Sequence, residues 1–309
     1  MSVPGRFATW NAKGMFAHWD VSKKSRLVAR MFDSLAPRGD GLSVLALQEL
    51  PVPTKPRPIP IDPLPAGCHL TLASRVRGSR AGHEDLGLLS NRVPQHVFVL
   101  DIPGVKTATL VAVFDVGNGA PLVRVAVVHF STTDAARDVA STFNALGPFT
   151  GAPLVVLGDF NIDAAALGRV LSSVPGDCTP LLRPGTEMMP TLVSGRGSVD
   201  NIVSTRHLVW EQTDVRSFSS VADEDKGAYS DHHCVYASGS LDVANKSPPP
   251  VPFELTIQDP IKPDGLVPLL PEAARIDIPR GCDGRRITRQ VVYCVLLLLV
   301  CLLMCITLH

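Results

Sequence analysis

Eight polar residues stand at one end or the other of short apolar runs. Asn11 follows RFATW, Glu49 follows LSVLALQ, His129 follows VRVAVV, and Asp159 and Asn161 close VVLGDFN. Asp200 lies in GSVDNIVS, and the Asp231–His232 pair lies in YSDHHCVY. Taken singly, each is ordinary: an aspartate at a strand end caps a helix or makes an Asx turn, and a histidine satisfies a local hydrogen bond. As a set they offer carboxylate and amide oxygens, two imidazoles and no thiolate. Those donors suit a hard divalent cation such as Mg2+, with Mn2+ as a substitute, and the imidazoles can move protons.

Such groups act together only if buried strands deliver them to one rim, where a rigid scaffold holds them. The sequence supplies the strands. RFATWN, LSVLALQEL, DLGLLSN, HVFVLDI, ATLVAVFDV, VRVAVVHF, APLVVLGDF, VDNIVST and HHCVYAS are rich in Val and Leu and punctuated by Gly, Pro and Asn. Helical patterns are expected around Ser22 to Leu35 and from Ala135 to Leu146. That is a mixed α/β protein. Residues 51–67, PVPTKPRPIPIDPLPAG, are too proline-rich for regular structure and read as a surface loop beside Glu49.

At 309 residues and 45% hydrophobic composition, the chain can bury a full core. Its formal net charge of zero lacks the overall basic footprint of many nucleic-acid binders. The seven cysteines include no CxxC pair, which predicts neither a disulfide framework nor a zinc site and suits a reducing compartment. The opening MSVPGRFATWNAKGMF lacks the charged start and apolar run of a secretory signal. No repeat is evident.

After Gly239 the composition changes. Residues 1–240 read as one catalytic domain, residues 241–289 as an extended Pro-rich linker, and residues 290–309 as a membrane anchor. The linker is read as a spacer and as a candidate ligand for an SH3-like module. The anchor rests on VVYCVLLLLVCLLMCITLH, residues 291–309, uncharged up to its terminal histidine. As a helix it would be roughly 28 Å long, near the thickness of a bilayer core. Arg285, Arg286 and Arg289 precede it, so the catalytic body is expected to face the cytosol or nucleus, from the endoplasmic reticulum or nuclear envelope.

In order, WN, QE, H, GDFN, SxDN and SDH resemble the endonuclease/exonuclease/phosphatase superfamily. Within it the blocks ATWNAKG, LALQEL, SRVRGSRAGHEDLGLLSN, VVHFSTTDA, VVLGDFNIDAAAL, MPTLVSGRGSVDNIVS and SDHHCVY resemble the catalytic B subunit of cytolethal distending toxin, itself similar to pancreatic deoxyribonuclease. They cover most of residues 5–238. The resemblance implies a four-layer α/β/β/α sandwich of two packed mixed β-sheets, with the active site at one end of the sheets. It also implies metal-dependent hydrolysis of a phosphate ester.

On that footing Glu49 and Asp231 are expected to hold the metal, with Asn11 orienting it or a phosphate oxygen. His232 is expected to act on the attacking water with Asp200 as its carboxylate partner, the pair being the family's general base. Asp159 and Asn161, two apart on an extended segment, would face the same side and position the water, and His129 would donate to the scissile phosphate. His233 is placed on the wrong face of its strand. The toxin's substrate arginines have no counterpart: His83 and Glu84 stand near one expected position, and the following strand offers only Lys106. Arg75, Arg77 and Arg80 lie just upstream, with Arg75 and Arg80 as the candidate phosphate contacts. DNA is the expected substrate. A phosphoinositide or other phospholipid beside the anchor is the second reading, and a non-catalytic tethered binding module the third.

Overall fold

The computed structural model describes residues 2–12, 21–35, 41–51, 61, 64–74, 84–117, 120–147, 152–182, 190–192, 194–195, 197–216, 230–242 and 275–277. The first sheet contains β1 (Ser2–Asn11), β2 (Leu42–Pro51), β3 (His69–Ser74), β4 (Glu84–Ser90), β11 (Leu208–Arg216) and β12 (Cys234–Asp242). The second contains β5 (His96–Asp101), β6 (Thr109–Phe114), β7 (Val123–His129), β8 (Leu154–Asp159), β9 (Cys178–Pro180), β10 (Asp200–Thr205) and β13 (Arg275–Asp277). Their orders are β11-β12-β1-β2-β4-β3 and β13-β5-β6-β7-β8-β10-β9. Three helices are described: α1 (Val21–Leu35), α2 (Ala135–Leu146) and α3 (Ala164–Leu171).

Each sheet has one parallel pair at its heart, β1 with β2 and β7 with β8, while most other pairs are antiparallel. A parallel pair needs a crossover, which α1 and α2 supply. The crossover sets the carboxyl ends of both strands side by side, so Asn11 lies opposite Gln48 and His129 opposite Asp159. Polar residues at the ends of apolar runs thereby meet at one rim.

Three apolar cores explain why the strands are almost continuously hydrophobic. Phe7, Val44, Val125, Leu157 and Val235 pack between the sheets. Ala8, Trp10, Leu45 and Leu47 face outward from the first sheet against Val28, Met31 and Phe32 of α1. Val111, Ala126 and Val156 face outward from the second against Val139, Phe143 and Leu167 of α2 and α3. Strands buried on both faces have no polar side to alternate with. The layering of two packed mixed sheets with helices outside is the expected sandwich.

Several elements differ from the sequence reading. β3, β9, β11 and α3 were not foreseen: α3 is only eight residues long, capped by Asp163 accepting from the Ala166 amide at 2.8 Å. Within the Pro-rich stretch read as a surface loop, Ile61 is buried against the α1 side of the first sheet. β12 runs to Asp242, and β13, inside the stretch read as linker, pairs in parallel with β5 and forms the edge of the second sheet. Cys68, Cys178 and Cys234 are free and buried. No helix among the described residues is long and apolar enough to cross a membrane. Residues 290–309 lie outside the described residues, as do Arg75, Arg77 and Arg80.

Candidate active site

Glu49 reaches the rim through a break in the strand. The β2–β4 register shifts between Leu47 and Leu50, so Gln48 and Glu49 together oppose one residue, and Glu49 adopts φ 56. Leu50 takes the place on the α1 face that residue 49 would have had, and the Glu49 carboxylate turns to the rim. The left-handed backbone costs roughly 1–2 kcal/mol for a residue with a Cβ. Against that cost, Glu49 Oε1 accepts from Asn11 Nδ2 at 3.0 Å. The same amide donates to Asp159 Oδ2 at 3.1 Å. Asn11 thus joins the two sheets between two carboxylates.

Asp159 is delivered by Gly158, where β7 and β8 approach so closely that a Cβ would meet the Val128 carbonyl. His129 lies beside it: Nε2 is 3.7 Å from both Glu49 Oε1 and Asp159 Oδ2. Asn161 corrects the sequence reading. It is not on an extended segment with Asp159 but turns left-handed at φ 51. Its amide N–H donates to Asp159 Oδ1 at 2.9 Å and its Nδ2 to the Phe130 carbonyl at 2.8 Å. An Asx-type turn has replaced the extended geometry because the aspartate satisfies the backbone two residues on. Asn161 therefore fixes Asp159 and the chain after His129, and does not present its side chain in parallel with Asp159.

On the other flank His232 Nδ1 bonds Asp200 Oδ2 at 2.8 Å. A carboxylate acceptor puts the proton on Nδ1 and leaves Nε2 toward the rim, a tautomer assigned from that bond. Nε2 lies 3.9 Å from Asp159 Oδ2 and 3.8 Å from Asp231 Oδ1. The His232 backbone is fixed as well: Trp10 Nε1 donates to its carbonyl at 3.3 Å, and its N–H donates at 3.0 Å to Ser230 Oγ, which itself donates to the Asn11 carbonyl. Asp231 is half-exposed at 51%, on the outer side of the cluster. His233 holds the chain through its N–H to the Thr191 carbonyl at 2.6 Å.

The electrostatics follow from burial. Desolvation alone would lower the His232 imidazole, but the hydrogen bond and charge of Asp200, then the charges of Asp159 and Asp231, outweigh it and raise the group to about 9. Burial and the charge of Asp200 push the Asp159 carboxyl well above the usual carboxylate range, against His232 and the donors of Asn161 and Asn11. A rim that strains to hold its negative charge is one that a cation would stabilise.

The donors fit a hard divalent cation. Glu49 Oε2 and Asp200 Oδ1 are buried without a hydrogen-bond partner among the described residues. One ligand atom from each of Asp159, Asp200 and His232 lies within 4.8 Å of the others. No thiolate is among these groups, and the oxygens suit magnesium-like ions better than soft metals.

A two-sheet sandwich with carboxylates and histidines gathered at one rim is an arrangement suited to hydrolysing phosphate esters. Residues 8–232 match the model of the Endonuclease/Exonuclease/phosphatase family, and the chain belongs to that family. A search of the curated proteins finds no match. Among solved structures, the fold is similar to D. rerio TDP2 complexed with single strand DNA product, at TM-score 0.56 and 14% identity over 76% of this chain and 98% of that one. It is similar to the human Nocturnin catalytic domain with bound sulfate anion, at TM-score 0.55 and 16% identity over 77% and 94%. ANGEL2, a 2',3'-cyclic phosphatase in complex with adenosine-2',3'-vanadate, gives TM-score 0.52 and 14% identity over 78% and 96%.

Trp10, Thr191 and Ser230 are site-building residues that the sequence reading passed over. Trp10 and Ser230 are the first residues of the WN and SDH motifs and Thr191 lies in the MPTLVSGRGSVDNIVS block, but nothing in those motifs names their hydrogen-bond partners across the fold.

Proposed function

We propose that this chain is a membrane-anchored, magnesium-dependent phosphodiesterase, and specifically a DNA endonuclease resembling the toxin B subunit. The observation that carries the hydrolytic reading is the Asp200–His232 pair at 2.8 Å, aimed at a rim built from Asn11, Glu49, His129 and Asp159. Support for a nucleic-acid substrate comes from family membership and from the TDP2 relative whose structure holds single-stranded DNA. The anchor rests on the apolar sequence of residues 291–309.

His232 Nε2 takes the proton from an attacking water, while Asp200 holds the imidazole tautomer and steadies the imidazolium that forms. His129, between Glu49 and Asp159, donates to the phosphate and its leaving oxygen. Asp159, held by Asn11 and Asn161, orients the water. Glu49, Asn11 and Asp231 would hold the cation, which supplies charge neutralisation on the phosphoryl oxygens. This set is preferred to Asp159, Asp200 and His232, because a cation on the His232 imidazole would occupy the nitrogen that has to take the proton. His232 can accept a proton only when neutral, so lowering it from about 9 requires that the neighbouring carboxylate charge be neutralised.

The second reading, a lipid phosphoesterase, is favoured by the same apolar segment, which would hold the rim beside head groups. The full chain in detergent, with magnesium and either supercoiled plasmid or phosphoinositide vesicles, separates the two when run beside His232→Ala. Nicking that disappears in the variant supports the nuclease. Phosphate release from lipid without nicking moves the assignment to lipid, and neither activity leaves the non-catalytic binding module.

A further inference from the structure

The Asp200–His232 pair spans the two sheets: Asp200 opens β10 of the second, and His232 lies two residues before β12 of the first. Something must set the distance between them. On the His232 side, Trp10 and Ser230 do so. On the Asp200 side β8 pairs with β10 along one edge as far as Asp200, but the ladder on the other edge runs short. β9 pairs with β10 only over Val203–Thr205, leaving the amides at the mouth of β10 beyond its reach.

Thr191 fills that gap. Its side chain is fully buried, and Oγ1 accepts from the amides of Val199 at 2.9 Å and Asp200 at 3.2 Å. Its own carbonyl accepts from the His233 amide at 2.6 Å, and Leu192 forms an antiparallel bridge with His232. The turn behind it is closed by Leu192 N–H to the Gly197 carbonyl at 3.1 Å. One residue therefore grips the backbone at Asp200 and at His233, the residue that follows His232. A hydroxyl oxygen has the two lone pairs that two amides need, which no apolar side chain of that size can offer.

We propose that Thr191 is a positioning residue for hydrolysis, setting the register between Asp200 and His232 through its hydroxyl on one strand and its carbonyl on the other. This rests on the reading of that pair as the proton-transfer machinery. Without the hydroxyl, two amides lose their acceptor and the start of β10 is left with its pairing to β8, so Asp200 loses the tie that sets it against His232, which stays fixed by Trp10 and Ser230.

The test uses the full chain in detergent, labelled with 15N-histidine, as wild type, Thr191→Val and Thr191→Ser. Thr191→Val keeps the shape and removes the acceptor; Thr191→Ser keeps the acceptor. The expected result is that the Val variant loses the low-field Nδ1 proton resonance of His232, identified by its absence in Asp200→Asn. Its kcat falls about 10- to 100-fold with KM within about twofold of wild type, the size expected for misplacing a proton-transfer pair. The Ser variant recovers both. A folded Val variant with the wild-type resonance and kcat overturns the proposal. If the Val variant does not fold, Thr191→Cys, whose thiol is a weak acceptor, decides in its place: a weakened resonance supports the proposal and an unchanged one overturns it. The resonance needs no substrate. A wild type that hydrolyses nothing therefore speaks against the functional reading while the resonance still decides the role of Thr191.

Discussion

Replacing Asp200 with asparagine removes the partner that dominates the protonation of His232 while keeping its size. Burial alone would hold the imidazole below its ordinary 6.5, whereas in the protein it stands at about 9, with Asp200 the leading cause of the rise. A group raised on folding stabilises the native state fully below its unfolded value, and loses that contribution as pH climbs through its folded value. For cation-free wild type the window therefore runs from about pH 6.5 to about pH 9, with stability falling as pH rises. The size of the effect is on the order of 3 kcal/mol, shared among Asp200, Asp159 and Asp231. In Asp200→Asn most of that slope should vanish, and the imidazole should titrate near or below its ordinary value. Urea unfolding in EDTA at about pH 6 and about pH 10, with a histidine NMR titration, measures both quantities. Equal pH dependence in wild type and variant would refute the reasoning, as would a wild-type His232 titrating below the ordinary value.

His232→Ala and Asp159→Ala should each reduce hydrolysis below about a tenth of wild type while circular dichroism and the unfolding midpoint show a retained fold. More activity than that in both variants would contradict the roles given to them. Chelation by EDTA should abolish turnover, and Glu49→Gln should raise the magnesium concentration for half-maximal activity roughly tenfold or more, measured by titrating the ion back. Gly158→Ala places a methyl group against the Val128 carbonyl and should cost about 3 kcal/mol in chemical denaturation, with Asp159 displaced as a consequence.

The main strands that carry the candidate site were legible because they are buried on both faces and read as apolar runs ending in polar residues. α2, with a clear 3.6-residue pattern, was legible to the residue, from Ala135 to Leu146. β11 was not: only Leu208 and Val215 along it are buried, and it carries Glu211, Gln212 and Asp214, so its apolar signal is diluted. α3 was hidden by its length, and β9 by having only three residues. Pairing partners are long-range facts, and nothing in TLVSGRGSVD says that Thr191 reaches both Asp200 and His233.

The sequence by itself determined the inventory of the rim, oxygen donors and imidazoles without thiolates, and the family resemblance that their order carries. It also determined that the chain would build a mixed α/β core, because apolar content and spacing act locally. Tertiary structure decided which atoms face each other. The bulge that turns Glu49 inward exists only because β2 pairs with β4, and the turn at Asn161 departs from the extended form because Asp159 accepts its amide. The union of Asp200 with His232 requires two sheets to pack. Composition and local pattern specify what each strand can bury; only the packing of strands far apart in the chain specifies where each polar end is aimed.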